Sequence, residues 1–173
     1  MRKIIIIVLV MTMFGVCAHA TSEVWELKNF VDAFGDQTDV QYIRNIHKFE
    51  GTFENSATSN GYLSVRMIVS VNEASFTLYR YGDYQVKPSS YENYTMKIRN
   101  KSNGTSEIKV TSGYDRIHIA AGDSARVFGE YMGAGEPIKI LIEQNKYGIE
   151  KYLFEIPDPA PEEFLALFDA TAD

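Results

Sequence analysis

A stretch of alternating side chains between residues 62 and 81 constrains the fold of this chain more than any other feature. Every second residue from 63 to 71 is apolar, and the alternation resumes from 74 to 78. A period of two places each apolar set on one face of a pleated strand. The sequence therefore predicts a hairpin of two antiparallel strands that turns at Asn72-Glu73 and rests one face on a core.

Similar short segments recur along the rest of the chain. Further strands are predicted at residues 23–32, 40–53, 94–99, 108–110, 117–119, 138–142 and 152–156. Polar turns separate them, including a loop predicted at residues 54–61 and the hairpin signal Asn103-Gly104. Two helices are predicted, one at about residues 125–132 and one beginning at Pro161. The pattern indicates an all-β or β-rich α+β fold, namely an antiparallel β-sandwich or barrel-like domain with two short helices.

The first twenty residues have the pattern of a secretory signal peptide. Arg2 and Lys3 precede an apolar run, and Ala18-His19-Ala20 supplies small residues at a cleavage position. We expect residues 1–20 to be removed, leaving one β-rich domain of residues 21–173 that is periplasmic or secreted. Lipid anchoring at Cys17 is a less favoured alternative, because Val16 is a poor fit to the small residue that precedes a lipidated cysteine. No later run reaches the length of a membrane-spanning helix.

The charge balance argues against anionic partners. The chain has 17 basic and 23 acidic residues, a formal net charge of −6, and no basic block. Binding to nucleic acid or to an anionic membrane surface needs clusters of Lys and Arg, so neither partner is expected.

Four segments resemble one group of proteins. They are Trp25, residues 31–38 (VDAFGDQT), Tyr42-Ile43 and residues 51–58 (GTFENSAT). In these positions the chain is similar to an uncharacterised group of small exported bacterial proteins. The resemblance implies a bacterial source and an exported or envelope setting, and it assigns no catalytic residue.

A tyrosine-rich segment is the densest unusual feature. Five of the eleven tyrosines lie within residues 79–94, among charged and amide side chains. Rigid amphipathic rings beside polar groups suit recognition of a glycan or a protein, and the polar residues 55–60 are candidate neighbours. We predict that the ligand-binding residues are Tyr81, Tyr84 and Tyr91. The alternative is that Tyr79, Tyr81 and Tyr94 are half-buried sheet residues.

Three acidic residues share a predicted turn with Gly35: Asp32, Asp36 and Asp39. Several carboxylates in one loop are candidate ligands for Ca²⁺, although the spacing is not that of an EF-hand. A solvated loop that caps its own turn is the preferred interpretation. We expect no metal and no cofactor.

Catalytic signals are weak. After the signal peptide the histidines are His47 and His118, which cannot form a three-histidine zinc site, and there is no Gly-x-Ser-x-Gly elbow. Asp115 lies three residues before His118, a spacing that on a strand predicts opposite faces. Hydrolysis by a pair of carboxylates stays open because such acids come from distant strands. The candidates are Glu23, Glu26, Glu50, Glu54, Glu73 and Glu92.

The favoured hypothesis is a non-enzymatic exported domain that binds a glycan or a protein partner at the bacterial envelope. Two alternatives remain. One is a secreted hydrolase that uses paired carboxylates. The other is a structural envelope component that assembles through an exposed sheet edge.

Overall fold

The computed structural model describes residues 23–71, 73–87, 94–144 and 150–159. Several predicted features lie outside these residues: the signal peptide with Cys17, the turn residue Asn72, the carboxylate candidate Glu92, the ligand-binding candidate Tyr91 and the helix at Pro161.

Eleven strands and one helix make up the described part of the chain. In order they are β1 Trp25–Val31, β2 Gln37–Asn45, β3 Phe49–Asn55, β4 Thr58–Ser70, β5 Glu73–Arg80, β6 Tyr84–Gln85, β7 Tyr94–Asn100, β8 Gly104–Ser112, β9 Ile117–Ile119, α1 Asp123–Gly133, β10 Ile138–Gln144 and β11 Glu150–Ile156.

Eight of these strands close into an antiparallel barrel. The order around the ring is β4-β3-β11-β10-β7-β8-β9-β5, and β5 pairs back to β4. Strands β1 and β2 form a hairpin outside the ring, attached where β2 pairs with the end of β4. The short β6 pairs with the end of β5. The barrel confirms the predicted β-rich, barrel-like fold class.

The predicted hairpin at residues 62–81 is confirmed as β4 and β5. The two strands pair continuously from Leu63 opposite Arg80 to Ser70 opposite Glu73. The alternating apolar side chains point into the barrel, where Met67 and Phe76 have no exposed surface. Each of the other barrel strands also directs alternate apolar side chains inwards. These side chains form one hydrophobic core that fills the barrel.

Two sequence predictions about strand limits were wrong. The polar loop at residues 54–61 is a turn of only Ser56-Ala57, because β3 continues to Asn55 and β4 begins at Thr58. This hairpin extends past the core layer, where water on both faces removes the need for apolar residues. The single strand predicted at residues 40–53 is two strands, β2 and β3. The buried Asn45 side chain marks the break by donating to the carbonyls of His47 and Val65.

The first predicted helix is confirmed as α1, which begins two residues earlier than expected. Gly122 precedes it with a φ of 79°, and no side chain caps its first turn. The Phe128 ring lies 6.2 Å from that of Phe76 inside the barrel. The Tyr131 hydroxyl donates to Ser106 Oγ beside the β7–β8 turn. Helix α1 therefore packs at the barrel end where β7 finishes. Among the described residues, no helix is long and apolar enough to cross a membrane.

Candidate functional site

At the barrel end opposite α1, the inward-facing residues of several strands change from apolar to polar. Gln144 on β10 lies directly opposite both Glu150 on β11 and Tyr94 on β7. On β5 the interior row of Phe76 and Leu78 finishes in Arg80, two residues further on. Because opposed residues of an antiparallel pair share a face, these groups all face the interior. We call Arg80, Tyr94, Gln144 and Glu150 the rim cluster.

An ion pair joins two members of the rim cluster, Arg80 and Glu150. Arg80 Nη1 donates to Glu150 Oε1 at 3.1 Å, and the Tyr152 hydroxyl donates to Glu150 Oε2 at 2.6 Å. The Arg80 and Glu150 side chains are 20% and 27% exposed. Arg80 Nε is buried and has no hydrogen-bond partner among the described residues. The site thus has a fixed acceptor in Glu150, while the unpaired Nε donor of Arg80 is enclosed beneath the surface.

The pKa values follow this arrangement. Burial raises the pKa of Tyr152, and the hydrogen-bonded Glu150 carboxylate raises it further. Burial works against the charge on Arg80, but the hydrogen bond to Glu150 and the Coulombic interactions with Tyr152, Glu150 and Tyr81 together outweigh it and raise the pKa of Arg80. Arg80 therefore stays charged at neutral pH.

Tyr81 lies close to the Arg80 guanidinium, whose Cζ atom is 6.0 Å from the centroid of the Tyr81 ring. Its backbone φ of 51° is in the left-handed region, which non-glycine residues seldom adopt. Its hydroxyl lies 2.8 Å from Thr58 Oγ1 and 3.3 Å from Asn55 Nδ2. These two hydrogen bonds lower the pKa of Tyr81. The ring is 60% exposed, with its centroid 5.0 Å from that of Phe53. Asn55 and Thr58, two of the predicted polar neighbours at residues 55–60, therefore contact this tyrosine.

The structure places the other predicted tyrosines unequally. Tyr84 is 64% exposed and lies opposite Arg80 in the β5–β6 pair, so it shares the Arg80 face. Tyr91 lies outside the described residues. Tyr79 is a half-buried strand residue, as the alternative interpretation held, whereas Tyr94 is a strand residue that is buried rather than half-buried. Tyr81 and Tyr84 are therefore two exposed rings close to Arg80 of the rim cluster.

A second set of side chains lies on the outer surface next to Tyr81. Lys48 Nζ sits 3.7 Å from the centroid of the Tyr79 ring and 2.7 Å from Asp83 Oδ1. The Tyr62 hydroxyl donates to Glu50 Oε1 at 3.3 Å, and Tyr62 is 54% exposed. Each charged group here has an opposite or polar partner close by.

In the acidic turn, the Asp32 side chain stabilises the backbone of the turn by accepting hydrogen bonds. Asp32 Oδ1 accepts hydrogen bonds from the backbone N–H groups of Phe34 and Asp36, at 2.8 and 3.0 Å. Asp39 is part of β2 and not of the turn. In the described ranges, no group of three or more His, Cys, Asp or Glu residues is placed to hold a metal ion.

The histidines and the other candidate carboxylates are paired with other residues or are exposed. His118 Nδ1 lies 2.8 Å from Glu73 Oε1, and His47 is exposed. Asp115 belongs to the loop before β9, so the strand argument for its orientation does not apply; it pairs with Arg116. Glu26 pairs with Arg44 and Lys28, while Glu23 and Glu54 are exposed.

Sequence reasoning missed Glu150, Gln144 and Tyr152 as site residues. A signal was present, because several interior rows continue into a polar residue at the same barrel end. Ile138, Ile140 and Ile142 lead to Gln144, and Glu150 leads into the row of Tyr152, Phe154 and Ile156. Only the strand order shows that these row ends meet.

Comparison of the chain with models of known protein families, with curated proteins and with solved structures finds no match.

Proposed function

We propose that this chain is an exported, non-enzymatic domain of the bacterial envelope that binds a neutral carbohydrate at the rim cluster. The observation that carries the proposal is the pairing of two exposed rings, Tyr81 and Tyr84, with the ion pair of Arg80 and Glu150. Ligand sites in barrel proteins favour the barrel mouth, with aromatic walls and a few convergent polar groups.

A sugar fits the chemistry of these side chains. The C–H faces of a pyranose ring pack on tyrosine, whose rigid ring loses little conformational entropy on binding. Sugar hydroxyls both donate and accept, so they match the Glu150 carboxylate, the Arg80 guanidinium and the Asn55 amide. Hydrogen bonds to charged partners are about twice as strong as neutral ones, which suits recognition of a hydrated ligand.

The charges favour a neutral sugar over an acidic or basic one. Arg80 is matched by Glu150, and Lys48 is matched by Asp83. An ionic ligand would have to break one of these pairs or bring an unmatched charge into a partly desolvated site, which costs free energy. Both oxygens of Glu150 are already hydrogen-bonded, which supports binding over hydrolysis.

The test is binding of neutral and acidic oligosaccharides to the chain purified after export from a bacterial host. We expect neutral glycans to raise the thermal midpoint, because a ligand that binds only the folded state stabilises it. Replacing both rings, with Tyr81→Ala and Tyr84→Ala, should weaken binding by about tenfold or more through lost stacking. Phe34→Ala is the matched control, since Phe34 is a 93% exposed ring on the outer hairpin.

Two results would contradict the proposal. One is glycan binding that survives the double tyrosine change, since it would place the site elsewhere. The other is a screen in which no glycan shifts the midpoint while an envelope protein binds in a Tyr81- and Tyr84-dependent way. That result would assign the same surface to a protein partner.

A further inference from the structure

Tyr62 is an exposed ring on the outer surface of the barrel, at the same barrel end as the rim cluster. It directly precedes Leu63, which lies opposite Arg80 in the β4–β5 pair and has no exposed surface. Because successive residues of a strand point to opposite faces, Leu63 and Arg80 face the interior and Tyr62 faces outwards. The Tyr62 ring is 54% exposed, and its hydroxyl donates to Glu50 Oε1 at 3.3 Å. Tyr62 therefore lies on the other side of the barrel wall from Arg80.

Tyr62 shares its face with a row of residues that crosses three strands. Glu50, Ser64 and Tyr79 lie opposite one another on β3, β4 and β5, and opposed residues share a face. Tyr62 is two residues before Ser64, so it faces the same way. Ser64 is only 5% exposed, so the longer side chains around it close over it. These side chains therefore form a continuous outer surface.

Lys48 and Asp83 connect this surface to the two exposed rings close to the rim cluster. Lys48 Nζ lies 3.7 Å from the centroid of the Tyr79 ring and donates to Asp83 Oδ1 at 2.7 Å. Asp83 lies between Tyr81 and Tyr84 in the chain. Polar and aromatic side chains thus continue from the rim cluster across the end of the barrel wall to its outer surface. We call four of the outer residues the outer cluster: Lys48, Glu50, Tyr62 and Asp83.

The outer cluster offers the same kinds of chemical groups as the proposed carbohydrate site. In both places an ion pair lies beside an exposed tyrosine ring, and the outer ion pair is that of Lys48 with Asp83. Glu50 adds an exposed carboxylate, which accepts the hydrogen bonds that sugar hydroxyls donate. Its negative charge repels an acidic sugar. The outer cluster therefore suits the same class of ligand, a neutral sugar.

We infer that the carbohydrate ligand is a linear neutral oligosaccharide that spans both clusters. One sugar unit lies against Tyr81 and Tyr84, and a later unit of the same chain packs on Tyr62. This inference rests on the proposed function, because the rim cluster supplies the first of the two subsites. A monosaccharide reaches only one cluster, since the end of the barrel wall separates them. An oligosaccharide fills both, and joining two contacts in one ligand strengthens binding beyond either contact alone.

The length of the ligand tests this inference. The probes are neutral gluco-, xylo-, manno- and galacto-oligosaccharides from monosaccharide to hexasaccharide, titrated calorimetrically into the exported chain. We expect affinity to rise with length until both clusters are occupied. Tyr62→Ala should weaken binding of the longest probes by about threefold or more, and should change binding of the shortest binding probe by less than about twofold. Tyr62→Phe keeps the ring and loses the hydrogen bond to Glu50, so it should retain most of the length dependence.

Tyr114→Ala is the matched control. Tyr114 is a 78% exposed ring between β8 and β9, and β9 pairs with the edge of β5 that faces away from β4. This variant should bind every probe as the wild type does, and unchanged binding of the shortest probe shows that Tyr62→Ala is folded.

Three results would overturn the inference. Affinity that does not depend on probe length would remove the second subsite and leave the proposed function standing. A length dependence that Tyr62→Ala retains would place the second subsite elsewhere, and its loss in Tyr114→Ala would show that the ligand extends the opposite way. If no probe of any length binds, the proposed function fails and the inference fails with it.

Discussion

At the scale of single residues, the Arg80–Glu150 pair shows how one partner depends on the other. Both side chains are mostly buried, and Glu150 is the only described hydrogen-bond partner of the Arg80 guanidinium. Removing the carboxylate would leave a charge in a partly desolvated place. We expect Glu150→Ala to lower the free energy of unfolding by about 2–3 kcal/mol, less than for a fully buried pair because water reaches both groups. Urea denaturation at neutral pH measures this.

Glu155→Ala is the matched control on the same strand. Glu155 pairs with Lys139 at 3.7 Å, and the two side chains are 43% and 56% exposed. An exposed pair of this kind contributes less than about 1 kcal/mol, so the variant should unfold close to the wild type. Equal losses in the two variants would mean that burial does not set the value of the Arg80–Glu150 pair.

Single residues were only partly predictable from the sequence. The clustering of tyrosines indicated Tyr81 and Tyr84 as candidate site residues, because composition is a local property. Glu150 was not identified, since its importance comes from Arg80, a residue 70 positions away in the chain. A charged residue just beyond an apolar row has the same sequence pattern whether it reaches solvent or a partner inside a barrel.

At the scale of elements, the β3–β11 contact depends on Gly51. A Cβ atom added there would lie 2.2 Å from the Leu153 carbonyl oxygen and 2.8 Å from Phe154 Cβ. Neither atom is the flexible end of a side chain, so the strands must separate. We expect Gly51→Ala to lower the free energy of unfolding by about 2–3 kcal/mol. Thermal or urea unfolding of the purified variant tests this.

A glycine-to-alanine substitution in α1 should instead raise the free energy of unfolding. Gly129 lies inside the helix, and an added Cβ would meet no atom within 4 Å other than the backbone of its own helix. Gly129→Ala should therefore raise the free energy of unfolding by about 0.5–1 kcal/mol, by restricting the unfolded chain and favouring the helix. If both glycine variants lost stability alike, the close approach of β3 and β11 would not be the cause.

Elements were predictable where one face of a strand is buried. The period of two identified β4, β5, β7, β10 and β11 because their alternate residues lie in the core. The pattern failed at residues 54–61, since both faces of that hairpin tip meet solvent. It also merged β2 with β3, because the break depends on the Asn45 side chain and its partners on β4.

At the scale of the whole molecule, closure of the barrel lay beyond the sequence pattern. The periodicity of apolar residues indicates which side chains of a strand face the core. It does not indicate which other strands pair with that strand. The pairings of β3 with β11 and of β5 with β9 join segments far apart in the chain. They place Asn55, Arg80, Glu150 and Tyr84 at one barrel end, which is why the candidate site could be predicted only in part.

The pH dependence of stability is also a property of the whole molecule, and among the described residues four carboxyl groups contribute to its acid side. Hydrogen bonds lower the pKa of each in the folded state: Arg44 acts on Glu26, Lys48 on Asp83, Arg116 on Asp115 and Ser102 on Glu136. On acidification the unfolded chain binds these protons first. Stability should therefore be full above about pH 5 and fall below about pH 4. Urea midpoints across a pH series measure this, and a midpoint that rises below pH 4 would contradict it.

The alkaline side has a different cause, which one variant isolates. Tyr152 is buried and its pKa is raised, so above about pH 10 the unfolded chain releases this proton while the folded chain keeps it. Stability should then decline as the pH rises. The lowered pKa of Tyr81 acts in the opposite direction, but its exposed ring makes the smaller contribution. Tyr152→Phe should flatten the decline above pH 10 even if it lowers stability at neutral pH, because Glu150 loses a donor. An unchanged alkaline slope would assign the decline to other groups.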